Sequence, residues 1–253
     1  MPRFIDLSAP IVQSPDGLPD PLRTDIEFAD HTTGAQAIDA MFGVGPELLR
    51  NGEGWAVETF TRFGTHNSTH VDAPWHYNSA VGGERAATID DLPLEWFHAP
   101  GVCLDFTAKA DGEAVTAEDV ETALYRLGRE LAPLDIVLIH TGRDAYLDDL
   151  DYMVRGPGVT AEATHWLYDR GVRVMGIDAW GWDRPLNQQA EEAKSGGPGI
   201  FWAAHQADLG YSQIERLCNL GALPAVGFTV SCFPLRIVGA SAGPARVVAM
   251  LGA

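Results

Sequence analysis

The sequence predicts an α/β protein: one domain spanning residues 1–253, with mixed β-sheet and flanking helices. Three observations lead there. Leu134–His140, where Ile136, Val137, Leu138 and Ile139 run without alternation, and Val172–Asp178 read as strands of the kind buried on both faces. Thr160–Arg170 lies between them with helical character and ends at Gly171, a residue suited to a left-handed C′ position, so the order is strand–helix–strand. Near the C-terminus, Phe228–Cys232, Leu235–Val238 and Arg246–Leu251 read as short strands separated by Pro and Gly, which makes part of the sheet antiparallel or mixed.

The remaining elements follow in chain order. A short strand is expected near Phe4–Leu7, then a long Pro-, Gly- and Asp-rich loop and a short helix around Ile38–Leu49. Trp55–Phe63 alternates and is rich in aromatic and β-branched residues, so it reads as a strand that runs into a cluster of histidines. Gly101–Phe106 is a further strand. Thr116-Ala117-Glu118-Asp119 has the cap and early acids of a helix start, and that helix is expected to continue through Leu131. No repeat or linker interrupts the pattern.

Composition narrows the function. The chain has 35 acidic and 17 basic residues, a formal net charge of −18. Such a surface repels phosphate backbones, so nucleic acid and anionic membranes are not expected partners. The N-terminus shows no signal-peptide pattern, and the most apolar stretch, Val226 to Leu251, is broken by Pro234, Arg236, Pro244 and Arg246. Cys103, Cys218 and Cys232 are widely spaced and odd in number, as expected of reduced, buried thiols in a cytoplasmic protein.

The most informative segment is Gly64-Thr65-His66-Asn67-Ser68-Thr69-His70-Val71-Asp72-Ala73-Pro74-Trp75-His76, which holds three of the chain's eight histidines and an aspartate. These are ligand types for a borderline divalent metal, and the absence of cysteine disfavours a structural zinc knuckle. Neither regular structure brings all four together. Six residues of strand span roughly 20 Å, whereas ligands lie about 2 Å from their ion. On a helix, at about 100° per residue, Asp72 falls far around from His66 and His70. The backbone is therefore expected to bend between Thr65 and Asp72, with His66 and His70 able to share one helical turn and Asp72 on an extended exit. Gly64, Asn67 and Ser68 suit the bend, and Pro74 holds Ala73 extended.

The stretch from Phe63 to His76 closely resembles the signature of the cyclase-like metal-dependent hydrolases, a family that includes bacterial kynurenine formamidases and isatin hydrolases. Weaker matches follow in order along nearly the whole chain: Ile5-Asp6-Leu7-Ser8, Ile139-His140-Thr141-Gly142, Gly176-Ile177-Asp178, His205, Ile214-Glu215-Arg216-Leu217-Cys218-Asn219-Leu220, and Pro234-Leu235-Arg236-Ile237 with Gly243 to Ala249. The resemblance implies a swivelling β/β/α fold, usually a homodimer or homotetramer. It implies that His66, His70 and Asp72 hold a first metal, that His205 and Glu215 join Asp72 at a second, and that His76 shuttles protons. The cofactor expected is Zn or Mn, one or two ions per chain.

A divalent ion can lower the pKa of bound water towards 7 and polarise a carbonyl. The function expected is hydrolysis of an amide, formamide or lactam bond of a small substrate by metal-activated water. The alternatives are a metal-dependent cyclase or lyase, or a non-catalytic metal-binding protein. His76 is the candidate proton carrier, with a fourth ligand or an orienting residue as the other role. Glu215 is either a second-metal ligand or the general base. Asp178, at a strand end, is read as a turn or cap. Trp180, Trp182, Phe201 and Trp202 are candidates for an apolar wall, Trp180 and Trp202 foremost as substrate-binding residues.

Overall fold

Among the described residues, 1–252 of a computed structural model, nine strands hydrogen-bond into one mixed sheet. They are β1 (Arg3–Asp6), β2 (His70–Asp72), β3 (His98–Asp105), β4 (Ile136–His140), β5 (Val174–Ile177), β6 (Ser212–Glu215), β7 (Phe228–Ser231), β8 (Ala242–Pro244) and β9 (Val248–Leu251). Their spatial order is β1-β9-β7-β3-β4-β5-β6-β2-β8. The centre, β3-β4-β5-β6, is parallel. Both flanks are antiparallel. The mixed α/β class is the one predicted.

Two central strands, β4 over Ile136–Ile139 and β5, are apolar without alternation because they are buried on both faces. In β4, Ile136 and Leu138 join one core cluster while Val137 and Ile139 join the other. Two helices cover the second face: α1 (Ala117–Leu127), through Val120 and Leu124, and α2 (Ala161–Asp169), through Ala163 and Leu167. Burying each of the Val and Leu side chains contributes about 1.5–3 kcal/mol. The first face is closed by β1, β7 and β9 residues together with Ile89, Leu92 and Phe97 from the β2–β3 connection.

Helix ends follow local chemistry. Thr116 and Asp119 form a reciprocal capping box at the start of α1. Gly128, at φ 61°, ends α1 with a left-handed cap, four residues short of the predicted Leu131. Thr160 caps α2, and Gly171 follows its end at φ 87° as expected.

This sheet belongs to a unit made of residues 1–9 and 68 onward; residues 10–67 form a second compact unit. In the latter, strands Asp25–Ala29 and Val57–Arg62 pair antiparallel, so the alternation at Trp55–Phe63 does mark a strand. Its helix spans His31–Phe42, earlier than the predicted Ile38–Leu49, because Asp30 caps its start and Gly43 ends it at φ 66°. Leu235–Val238 is not a strand. Tight turns, Ile237 N to Leu235 O and Ala240 N to Ile237 O, occupy it, and Leu235 and Val238 point to solvent. The strand lies instead at Ala242–Pro244.

Candidate metal centre

Strand β2 supplies His70 and Asp72. Side chains alternate across a strand, so these two share a face while Val71 enters the core. The antiparallel register of β6 then sets Glu215 directly opposite His70. Ligand atoms of His70, Asp72 and Glu215 all lie within 4.8 Å of one another, and all three residues are buried. His70 Nε2 is 3.2 Å from Asp72 Oδ1 and 3.7 Å from Glu215 Oε2.

The bend ahead of β2 is a turn and not a helix. Asn67 N donates to Gly64 O, and Ser68 is left-handed at φ 56°. The single helical turn expected across His66–His70 therefore does not form. Ser68 O instead engages His70 Nδ1 at 2.9 Å. A carbonyl only accepts, so Nδ1 carries the proton and Nε2 is left for the carboxylates. Ala73 is extended as predicted, and Pro74 begins a short helical turn, Pro74–Tyr77. His66 lies in the other unit, at its Asn67 end.

His205 arrives from a loop 22 residues beyond Asp183, which anchors it. The Asp183 carboxylate accepts Ala204 N at 2.9 Å, His205 N at 3.1 Å and His205 Nδ1 at 2.5 Å. Nε2 is thereby aimed at Glu215 Oε1, 3.3 Å away. Glu215 Oε1 also accepts Trp182 N at 3.0 Å. Both histidines thus use Nδ1 for an orienting hydrogen bond and present Nε2 to carboxylates, the arrangement that orients metal-binding imidazoles.

The donor set fits a divalent cation. Two donors about 2.1 Å from a shared tetrahedral ion stand about 3.4 Å apart, and the observed separations of 3.2, 3.3 and 3.7 Å bracket that value. Two buried carboxylates also require compensating positive charge. In the metal-free chain the imidazoles provide it. Burial alone would lower the pKa of His70, but Asp72 and Glu215 raise it. For His205 burial also lowers, yet hydrogen bonds to Asp183 and Glu215 raise the pKa to about 10.

His76 sits on the Pro74–Tyr77 turn, with a ring nitrogen within 4.8 Å of an Asp72 oxygen. Its ring meets Trp202 edge-on at 5.1 Å and lies 6.0 Å from the His205 ring. Trp202 stacks on His205 at 4.6 Å and 14°. Tyr77 accepts Gln213 N through its hydroxyl at 3.1 Å, which ties the turn to β6. His76, His205 and Trp202 are therefore brought together as one wall beside the carboxylates.

Other expectations need correction. Trp182 is fully buried and donates through Nε1 to Thr164 at 2.9 Å; it is core and not a pocket wall. Phe201 is 41 % exposed. Trp180 is edge-on to Tyr152 at 5.9 Å and lies beneath the Arg216 guanidinium. Asp178 does serve as a turn clamp, accepting Thr141 N, Thr141 Oγ1 and Gly142 N at 2.6–2.8 Å. Burial nonetheless raises its pKa. All three cysteines are free and buried, and burial pushes the Cys103 thiol up to about 12 and that of Cys218 to about 11. Asp183 and Arg216 were not singled out from sequence. Each is one acid or one base without periodicity, and only the fold shows what it faces.

Comparison with known proteins places the chain. A family model described as "Putative cyclase" matches residues 5–184, more than half of the chain, which belongs to this cyclase family. A kynurenine formamidase from Salinibacter ruber is 30% identical over 74% of this chain and 76% of its own length. One from Maricaulis maris is 27% identical over 85% of this chain and 87% of its own length. Among solved structures, isatin hydrolase A from Ralstonia solanacearum shares the fold at a TM-score of 0.72, with 24% identity, 99% of this chain and 92% of that chain. An isatin hydrolase bound to the product analogue thioisatinate does so at 0.74, with 22% identity and the same shares. Among the described residues, no helix is long and apolar enough to cross a membrane.

Proposed function

We propose that this chain is a metal-dependent hydrolase that opens an amide, formamide or lactam bond of a small substrate. The observation that carries the reading is the buried set His70, Asp72, Glu215 and His205, oriented through Nδ1 hydrogen bonds, with His76 on its rim. Kynurenine formamidases and isatin hydrolases among its relatives support the choice of bond.

His70 and Asp72 would hold one divalent ion in this reading, and Asp72, Glu215 and His205 would hold a second. Their nitrogen and oxygen donors suit Zn or Mn. Such an ion lowers the pKa of water towards neutrality and polarises a carbonyl. The residues of the chain do the rest. Both Glu215 oxygens are already committed, Oε1 to Trp182 N and His205, Oε2 facing His70. That favours Glu215 as a ligand and leaves His76 as the acid–base, taking up a proton and delivering it to the leaving nitrogen. Trp202, stacked on His205, shields this exchange from bulk water.

We place the protein in the cytoplasm, where its three buried free thiols stay reduced. Self-association is supported by an apolar face on the 10–67 unit: Ile26 and Phe60 are register partners, and Phe28 and Phe60 are exposed.

The test is metal analysis of the purified protein together with a panel of aryl formamides, cyclic amides and esters, each with Zn²⁺ and Mn²⁺. Hydrolysis of an amide class that His70→Ala abolishes is the expected outcome. If the loaded protein cleaves nothing and Asp72→Ala keeps full metal stoichiometry, the reading is wrong.

A further inference from the structure

We infer that Arg216 is a specificity residue that binds a carboxylate carried by the substrate in addition to the scissile bond. This deepens the hydrolase reading and rests on it for the identity of the reaction. Arg216 follows Glu215 directly at the end of β6. Its guanidinium carbon lies 3.6 Å from the centroid of the Trp180 ring, stacked on the indole. Its Nε is buried without a hydrogen-bond partner. Among the described residues Arg216 forms no ion pair, although the chain has 35 acids.

The backbone sharpens the point. Arg216 is left-handed, φ 57°, in a region that a long non-glycine side chain seldom occupies. The peptide is clamped there: Arg216 N donates to Ala179 O at 3.1 Å, and Arg216 O accepts Thr69 Oγ1 at 2.5 Å. Such constraint persists where the surroundings over-determine it, and here it turns the side chain onto Trp180.

A half-buried guanidinium whose Nε is buried and which no acid of the protein pairs is matched by an anion the chain does not contain. The planar fork, already pre-organised by stacking, fits a carboxylate in bidentate fashion. The neighbouring Trp180 offers apolar surface for the body of the same molecule. A small amide or formamide with a carboxylate near its scissile group meets all three features.

The experiment compares 2-formamidobenzoate with its neutral amide, 2-formamidobenzamide, on the metal-loaded enzyme. Wild type is expected to favour the anion in kcat/KM. Arg216→Met is expected to cut that preference by about 30-fold or more, the scale of a charge-assisted hydrogen bond, chiefly through KM. Arg216→Lys, which keeps the charge but not the fork, restores part of it. A preference unchanged by Arg216→Met, or a wild-type preference for the neutral amide, overturns the inference. If Arg216→Met does not fold, Arg216→Gln makes the same comparison. If neither compound is cleaved, the hydrolase reading fails separately, and calorimetric titration of the metal-free protein with benzoate decides on Arg216. Binding that Arg216→Met weakens tenfold or more upholds the carboxylate site, and equal binding removes it.

Discussion

Asp183→Asn isolates what holds His205 in place. The carboxylate accepts three hydrogen bonds, from Ala204 N, His205 N and His205 Nδ1. An amide has one oxygen for these donors, and its NH₂ then faces an N–H. At least one buried donor loses its partner, which costs about 1–3 kcal/mol. The charge-assisted bond to Nδ1 is lost as well, so the ring is less basic and less firmly aimed at Glu215. Loss of such an orienting partner weakens metal binding by about 10–100-fold. The assay is competitive titration with a calibrated chelator, paired with metal analysis after dialysis. One ion per chain should become weak by that factor, and the affinity for the ion proposed at His70 and Asp72 should change little. Thermal melting should fall by about 2–4 °C for each kcal/mol lost, without loss of the folded state. Unchanged affinity for every ion would refute the argument. So would an equal loss at both ions, which would point to general unfolding and not to His205.

Other consequences can be measured directly. His76→Gln should lower kcat by about 10²–10⁴-fold, the range of general acid–base catalysis, with metal stoichiometry retained; loss of metal would make His76 a ligand instead. His205 has a metal-free pKa of about 10, and an imidazole ligand must be neutral, so metal binding at pH 8 should release close to one proton from it. Calorimetry in buffers of different ionisation enthalpy counts that proton, and none released would contradict the assignment. Because this folded pKa lies above the unfolded value of about 6.5, the stabilisation from His205 is complete below that pH. It is lost as pH rises through about 10, so the melting temperature of the metal-free protein should decline across that window. Gly176→Ala places a Cβ 2.8 Å from Leu217 Cδ1 and 2.9 Å from Leu138 Cδ2, and urea unfolding should show about 1–3 kcal/mol of destabilisation. Phe60→Asp should shift the protein to a smaller species in light scattering, and an unchanged mass would remove the 10–67 face from any assembly.

Much of the fold was legible in the chain because it rests on local rules. Ile136–Ile139 and Val174–Ile177 are apolar throughout since both faces of β4 and β5 are covered. Thr116 and Gly171 mark helix boundaries through their own caps. Elements were misjudged where burial and not pattern decided them. Leu235–Val238 has strand composition but no partner face, so it turns and stays exposed. The three-residue strand His70–Asp72 is too short to show alternation, yet it is fully buried between β6 and β8. Helix α3, Leu186–Gly196, escaped prediction because its sequence, Leu-Asn-Gln-Gln-Ala-Glu-Glu-Ala-Lys-Ser-Gly, has little apolar stripe to detect.

The sequence by itself determined the ligand chemistry. Imidazoles and a carboxylate packed between His66 and His76 admit few uses, and the spacing alone demanded a bent backbone. Only the tertiary structure decided how that chemistry is arranged. Glu215 stands opposite His70 through an antiparallel register set far along the chain, and His205 faces Glu215 because Asp183 clamps its other nitrogen. Arg216 stacks on Trp180 without an acidic partner for the same reason. Residue identity specifies what a side chain can bind, but its partners are set by pairing and burial between segments distant in the chain, 145 residues apart for Glu215 and His70.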